Sequence, residues 1–194
     1  MPQTLRTETA DCSLEVTLAH APTALRLHYR VHNCSASPLF LCNQLYEDIG
    51  SEASTGKPLF EVLPDLVNVR LVEGTVRVGK AVVEVPDGMW VESLHLPCLS
   101  RVEPGAIYEQ TVHLSIPLMP YTAYQSRPSK GAAVQRPLFF EIGYFLASEH
   151  AQQHIMEVAT SQGKAYYLDP LPSASQKIIA AGPFSELASV ICRE

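Results

Sequence analysis

The chain has 194 residues, 46% of them hydrophobic and only 18% charged, with 20 Asp+Glu against 14 Lys+Arg for a net charge of −6. That balance excludes long disorder and a collagen-like repeat, and a chain of this length buries enough surface to fold without disulfide or metal staples. The acidic excess, with no basic run beyond the alternating Arg26, Arg30 and His32, argues against nucleic acid as a partner, because such binding rests on neutralised phosphates.

The N-terminal stretch Met1 to Ala10 holds no apolar run of the length a signal peptide needs, and no window approaches a membrane span. The expectation is a cytoplasmic chain without a membrane partner. Leu14, Val16 and Leu18 alternate with Glu15 and Thr17, and Leu25, Leu27, Tyr29 and Val31 alternate with Arg26, His28, Arg30 and His32. Strict two-residue alternation is the pattern of a strand with one face buried and one wet. Val67, Val69 and Leu71 continue it, and Glu73-Gly74 reads as a hairpin turn leading into a strand over 76–85. Within that strand the apolar phase flips at Gly79, which predicts a bulge. Pro86-Asp87-Gly88 and Glu103-Pro104-Gly105 read as tight turns. Tyr108, Val112, Leu114 and Ile116 share one face of the next strand, and the apolar run 138–146 reads as a strand buried on both sides.

Two segments, 148–160 and 184–191, read as short helices, and two, 46–64 and 119–137, as long loops. Antiparallel strands with one polar face need a second layer over the apolar face. The expected architecture is therefore all-β: an antiparallel, immunoglobulin-like sandwich forming one domain over 1–194, elaborated by the long loops and one or two short helices. A barrel of similar strand number is the alternative. The turn Val102-Glu103-Pro104-Gly105 with its flanking strands resembles small bacterial immunoglobulin-like modules, among them intracellular proteinase-inhibitor types. The likeness covers a small part of the chain and carries no site residue with it.

Cys12, Cys34, Cys42, Cys98 and Cys192 are odd in number and include no C-x-x-C pair, so free thiols are expected. The common nucleotide-binding and hydrolase motifs are absent, and no cofactor is implied. His28 and His32 lie on one strand face about 13 Å apart, too far to share a metal ion. Cys34 and His32 are about 6.6 Å apart along an extended strand, too far for a direct bond. His150 and His154, four apart on the expected helix, are the metal-binding alternative, with Glu149, Glu157 and Asp169 as nearby carboxylates.

The stretch Pro120 to Lys130 carries Tyr121, Tyr124 and Arg127, and its Arg127 and Lys130, with Arg136, make it locally basic in an acidic chain. Tyr and Arg are the anchors most used at protein interfaces. These three residues are the candidate contact surface for a protein partner, a second copy of the chain included. Trp90 reads as a core residue or as a second anchor. The functional expectation is a non-catalytic interaction module.

Overall fold

A computed structural model gives the fold and describes residues 1–53, 55–125, 131–147, 154–171 and 173–192. The all-β class holds: strands take up 60% of the chain and helix 1%. The first sheet pairs β1 (Gln3–Glu8), β2 (Cys12–Ala21), β3 (Ala24–Asn33) and β10 (Ile107–Ser115) in the order β1-β2-β3-β10, all antiparallel. The alternation read from the sequence sets its two faces. Leu14, Val16, Leu25, Leu27, Tyr29, Val31 and Val112 point inward and are fully buried. On the wet face Arg30 lies between Glu15 and Glu109, at 3.5 and 3.4 Å.

A larger, curled sheet covers the apolar face. Its central run is β9 (Cys98–Val102), β4 (Leu39–Gln44), β12 (Leu138–Leu146), β8 (Thr75–Lys80) and β7 (Asn68–Val72), and β15 (Lys177–Ala181) also pairs with β12. It extends through β14 (Gly163–Tyr167), β13 (Met156–Thr160), β6 (Pro58–Val62) and β5 (Tyr46–Ser51). Leu39, Leu41, Val76, Val78, Leu138, Phe140, Ile142 and Ile179 join the inward residues of the first sheet in one cluster. At about 25 cal/mol per Å2 of apolar surface, a shared core of this kind is what holds the two layers together.

Several details depart from the expectation. Pairing is mixed, since β12 runs parallel to β8 and β13 parallel to β6. The segment 46–64 is not a loop but contains the β5–β6 pair, and 119–137 contains β11 (Ala132–Arg136), which pairs with β16 (Ala188–Cys192). The expected helix over 184–191 is therefore strand over 188–191 and irregular before it. Of the helix expected over 148–160, residues 156–160 form β13, and 148–153 lie outside the described residues. Helix-like spacing over a few residues carries little weight where a neighbouring strand offers a ladder. The one helical turn among the described residues is a 3-10 turn over Ser173–Ser175.

Gly79 makes no bulge. It pairs in register with Asn68 on one side and Glu141 on the other. Its lack of a side chain matters for another reason, because a Cβ there would lie 2.3 Å from the Glu141 carbonyl oxygen. The turns read from the sequence do form. Glu73 and Gly74 both have positive φ, as a type I′ hairpin requires, and Gly105 has φ 75° after Pro104.

Candidate functional site

The segment that follows β8 supplies the most exposed apolar surface. Strand pairing stops at Lys80 because a side chain takes over the ladder. The Gln176 amide accepts from Val82 N–H at 3.0 Å and donates to Val82 C=O at 2.7 Å. Gly143 leaves room for that amide, since a Cβ there would sit 2.3 Å from Gln176 Oε1. The chain then lifts off the sheet and turns at Pro86, whose carbonyl accepts from Met89 N–H at 3.0 Å, with Gly88 at φ 78°. Beyond this turn Met89, Trp90, Val91 and Leu94 all stand in solvent, Trp90 at 98% exposure. The core reading of Trp90 is thus overturned, because the turn points it away from both sheets. Asp87 and Glu92 flank the tip with negative charge.

The return of this loop is tied down. The His95 ring packs on Tyr46 with centroids 4.4 Å apart and its Nε2 lies 3.0 Å from Tyr46 O, so Nε2 carries the proton. Burial lowers its pKa, so the ring stays neutral near pH 7. His95 N–H donates to the Tyr124 hydroxyl at 2.8 Å. That bond brings one of the sequence-predicted residues, Tyr124, to the base of the Trp90 loop. Tyr121 sits elsewhere: its backbone exchanges two hydrogen bonds with Val69, at 2.8 and 2.9 Å, and its half-buried side chain lines a different cleft. Arg127 lies outside the described residues, as does His150; His154 is exposed. No group of three or more His, Cys, Asp or Glu close enough to hold a metal occurs among the described residues.

A cleft of about 550 Å3 opens beside the loop, lined by Asn68, Arg70, Val83, Val85, Thr122 and Gln125 among others. Its floor includes Glu141, whose buried carboxylate is bonded to Arg70 and lies 3.4 Å from Arg77. Arg77 also covers the Phe139 ring at 5.1 Å. Gly79 makes this arrangement sterically possible.

Two further groups escaped the sequence reading. Lys80 is fully buried, with Nζ donating to Pro64 O at 2.7 Å. Desolvation lowers its pKa to about 7, with Asp65 pulling the other way. Its position had a signal, since it shares the parity of the buried Val76 and Val78. Cys34 Sγ lies 3.5 Å from His32 Nδ1, which corrects the strand-distance argument. An extended chain would hold the two apart, but β3 ends at Asn33. The Asn33 side chain bonds Ser35, Ser37 and Val102, and it bends the chain so that Cys34 swings back. His28 bonds Thr111 at 3.0 Å rather than approaching His113.

No helix among the described residues is long and apolar enough to cross a membrane. Comparison of the chain with family models, with curated proteins and with solved structures found no match.

Proposed function

We propose that the protein is a non-catalytic cytosolic interaction module on an immunoglobulin-like β-sandwich, and that it binds a protein partner through the Trp90 loop and Tyr124. The observation that carries this reading is the exposure of Trp90, the only tryptophan of the chain. A large aromatic side chain left in water forgoes on the order of 2–3 kcal/mol of burial, and contiguous apolar exposure of this kind marks contact sites. Met89, Val91 and Leu94 widen the apolar tip, and the His95–Tyr124 bond braces its base, which lowers the ordering cost of docking. Asp87 and Glu92 fit a partner whose apolar pocket is rimmed by Lys or Arg, so binding weakens as salt rises.

The test is capture of partners from native extract by the wild-type chain, by Trp90→Ala and by Tyr124→Ala. Interface anchors of this type cost about 2 kcal/mol or more on truncation, so Trp90→Ala should lose a partner held by the wild type, with an unchanged melting temperature. In the reconstituted complex the Trp90 emission should shift to the blue. A partner held equally by Trp90→Ala, or an unshifted emission in the complex, rejects the reading.

A further inference from the structure

The first sheet ends on β10, an outer strand with β3 on one side only. Ala106 O accepts from Asn33 N–H and Ile116 N–H donates to Thr23 O, so the even-numbered residues of this stretch direct their backbone groups at β3 and its flanks. The odd-numbered residues, Ile107 to Ser115, therefore direct theirs away from the sheet. Among the described residues only one of these outward amides is taken: His113 N–H donates to Asp65 Oδ1 at 2.8 Å. The register with β3 runs through nine consecutive pairs without a bulge. Soluble proteins protect such edges with Pro, charged side chains, bulges or short strands; Ile107–Ser115 has no Pro, Lys or bulge, and its one carboxylate, Glu109, lies 3.4 Å from Arg30 of the neighbouring strand.

Three other sheet edges carry contacts or charges of their own. On β7, Val69 is already bridged to Tyr121 in both directions. On β5, Glu47 and Asp48 stand side by side, and Asp48 Oδ1 takes the Ile49 amide. On β1, Gln3 Oε1 takes both the backbone N–H and the hydroxyl of Ser185.

We propose that the outer edge of β10 pairs antiparallel with β10 of a second copy of the chain, joining two four-stranded sheets into one across a twofold axis at Thr111. A two-fold antiparallel contact must place residue i opposite residue j and j opposite i, and this strand is self-complementary in that sense. Thr111 faces Thr111 of the second copy, with its outward N–H and C=O matched. Glu109 faces His113 of the second copy, twice, which sets a carboxylate against an imidazole at both ends of the pairing. Ile107, half exposed in the single chain, faces Ser115. On the inner side Tyr108 of the second copy meets Leu114, at the rim of a cleft of about 240 Å3 lined by Asp65, Leu66, Val69, Leu118 and Met119 among others. Asp65 is the competitor, since it holds the His113 amide that the second copy would take.

Sedimentation velocity over a concentration series tests the interface on the full chain. The wild type should show a monomer–dimer equilibrium. Thr111→Pro should abolish the dimer while keeping the fold, because the lost N–H faces away from β3 and an edge strand tolerates proline there. Glu109→Lys and His113→Glu should each weaken association about tenfold or more, and the double variant, with the charges exchanged, should restore it. These exposed substitutions keep the test alive if Thr111→Pro fails to fold. A wild type that stays monomeric to its solubility limit overturns the proposal. So does a dimer indifferent to Thr111→Pro and to both charge reversals, or a double variant that does not recover.

Discussion

Lys80 shows what one residue can do to the pH dependence of stability. Its pKa of about 7 in the folded chain stands against 10.5 for an ordinary lysine, so the unfolded chain binds more protons between those values and stability falls as pH drops from 10.5 to 7. The full window is worth roughly 5 kcal/mol by the cost of each pKa unit. Cys42 and Cys98 act in the opposite sense: burial pushes both thiols up to about 12 from 9, so their contribution is lost as pH rises through that range. Urea midpoints of the wild type should climb from pH 7 to about 9 and then turn down. Lys80→Met should be more stable at pH 7, with its advantage shrinking towards pH 9; a constant advantage would contradict the assignment. Cys34 gives a second residue-level test. It is exposed, whereas Cys12, Cys42 and Cys98 are buried, so a thiol reagent should label Cys34 first in the native protein, and Cys34→Ser should remove that fast phase. All five thiols should react once the chain is unfolded without reductant.

At the scale of elements, β2, β3 and β10 were legible because one face is wet, whereas β1 and the β5–β6 and β11–β16 pairs were not read as strands. The alternation in β3 and β10 gave both their existence and their inward residues, because a single polar face leaves a clear parity. Where both faces are covered, the apolar run gives the burial but not the pairing: Glu141 in β12 is buried against Arg70 and Arg77, contributed by two other strands. A glycine in a strand marks either a bulge or a close approach, and Gly79 is the second where its phase flip predicts the first. The close approach has a consequence. Gly79→Ala should drive a methyl into the Glu141 backbone and cost about 3 kcal/mol, the upper range for overpacking. Thermal unfolding would show it, and a neutral Gly79→Ala would mean that β8 and β12 are free to separate. The helices expected over 148–160 and 184–191 give way, over 156–160 and 188–191, to β13 and β16, which pair with the adjacent β14 and the distant β6 in one case and with the distant β11 in the other.

For the molecule as a whole, the position of the sole tryptophan has a measurable result. Proteins usually shift their tryptophan emission to the red on unfolding, because a buried indole meets water. Trp90 is already in water, so the native emission should match the denatured one, and urea should move circular dichroism without moving the fluorescence maximum. A blue-shifted native spectrum at low concentration would place Trp90 in the core after all. Among the described residues of the contact surface read from the sequence, Tyr124 joins the Trp90 loop, through a bond to the His95 backbone that no local pattern encodes. Tyr121 is diverted by its bridge to Val69, more than fifty positions earlier in the chain.

The sequence by itself determined the all-β class, the inward faces of the outer strands and the Gly-dependent turns, because alternation and positive φ are local properties that short segments carry with them. Only the tertiary structure decided which strands become neighbours, that two pairings are parallel, that Lys80 is sealed in, that Trp90 is left out, and that β10 ends its sheet. Each of these depends on which distant segment arrives to cover or to pair, and that choice is made by the packing of the whole chain rather than by any stretch of it.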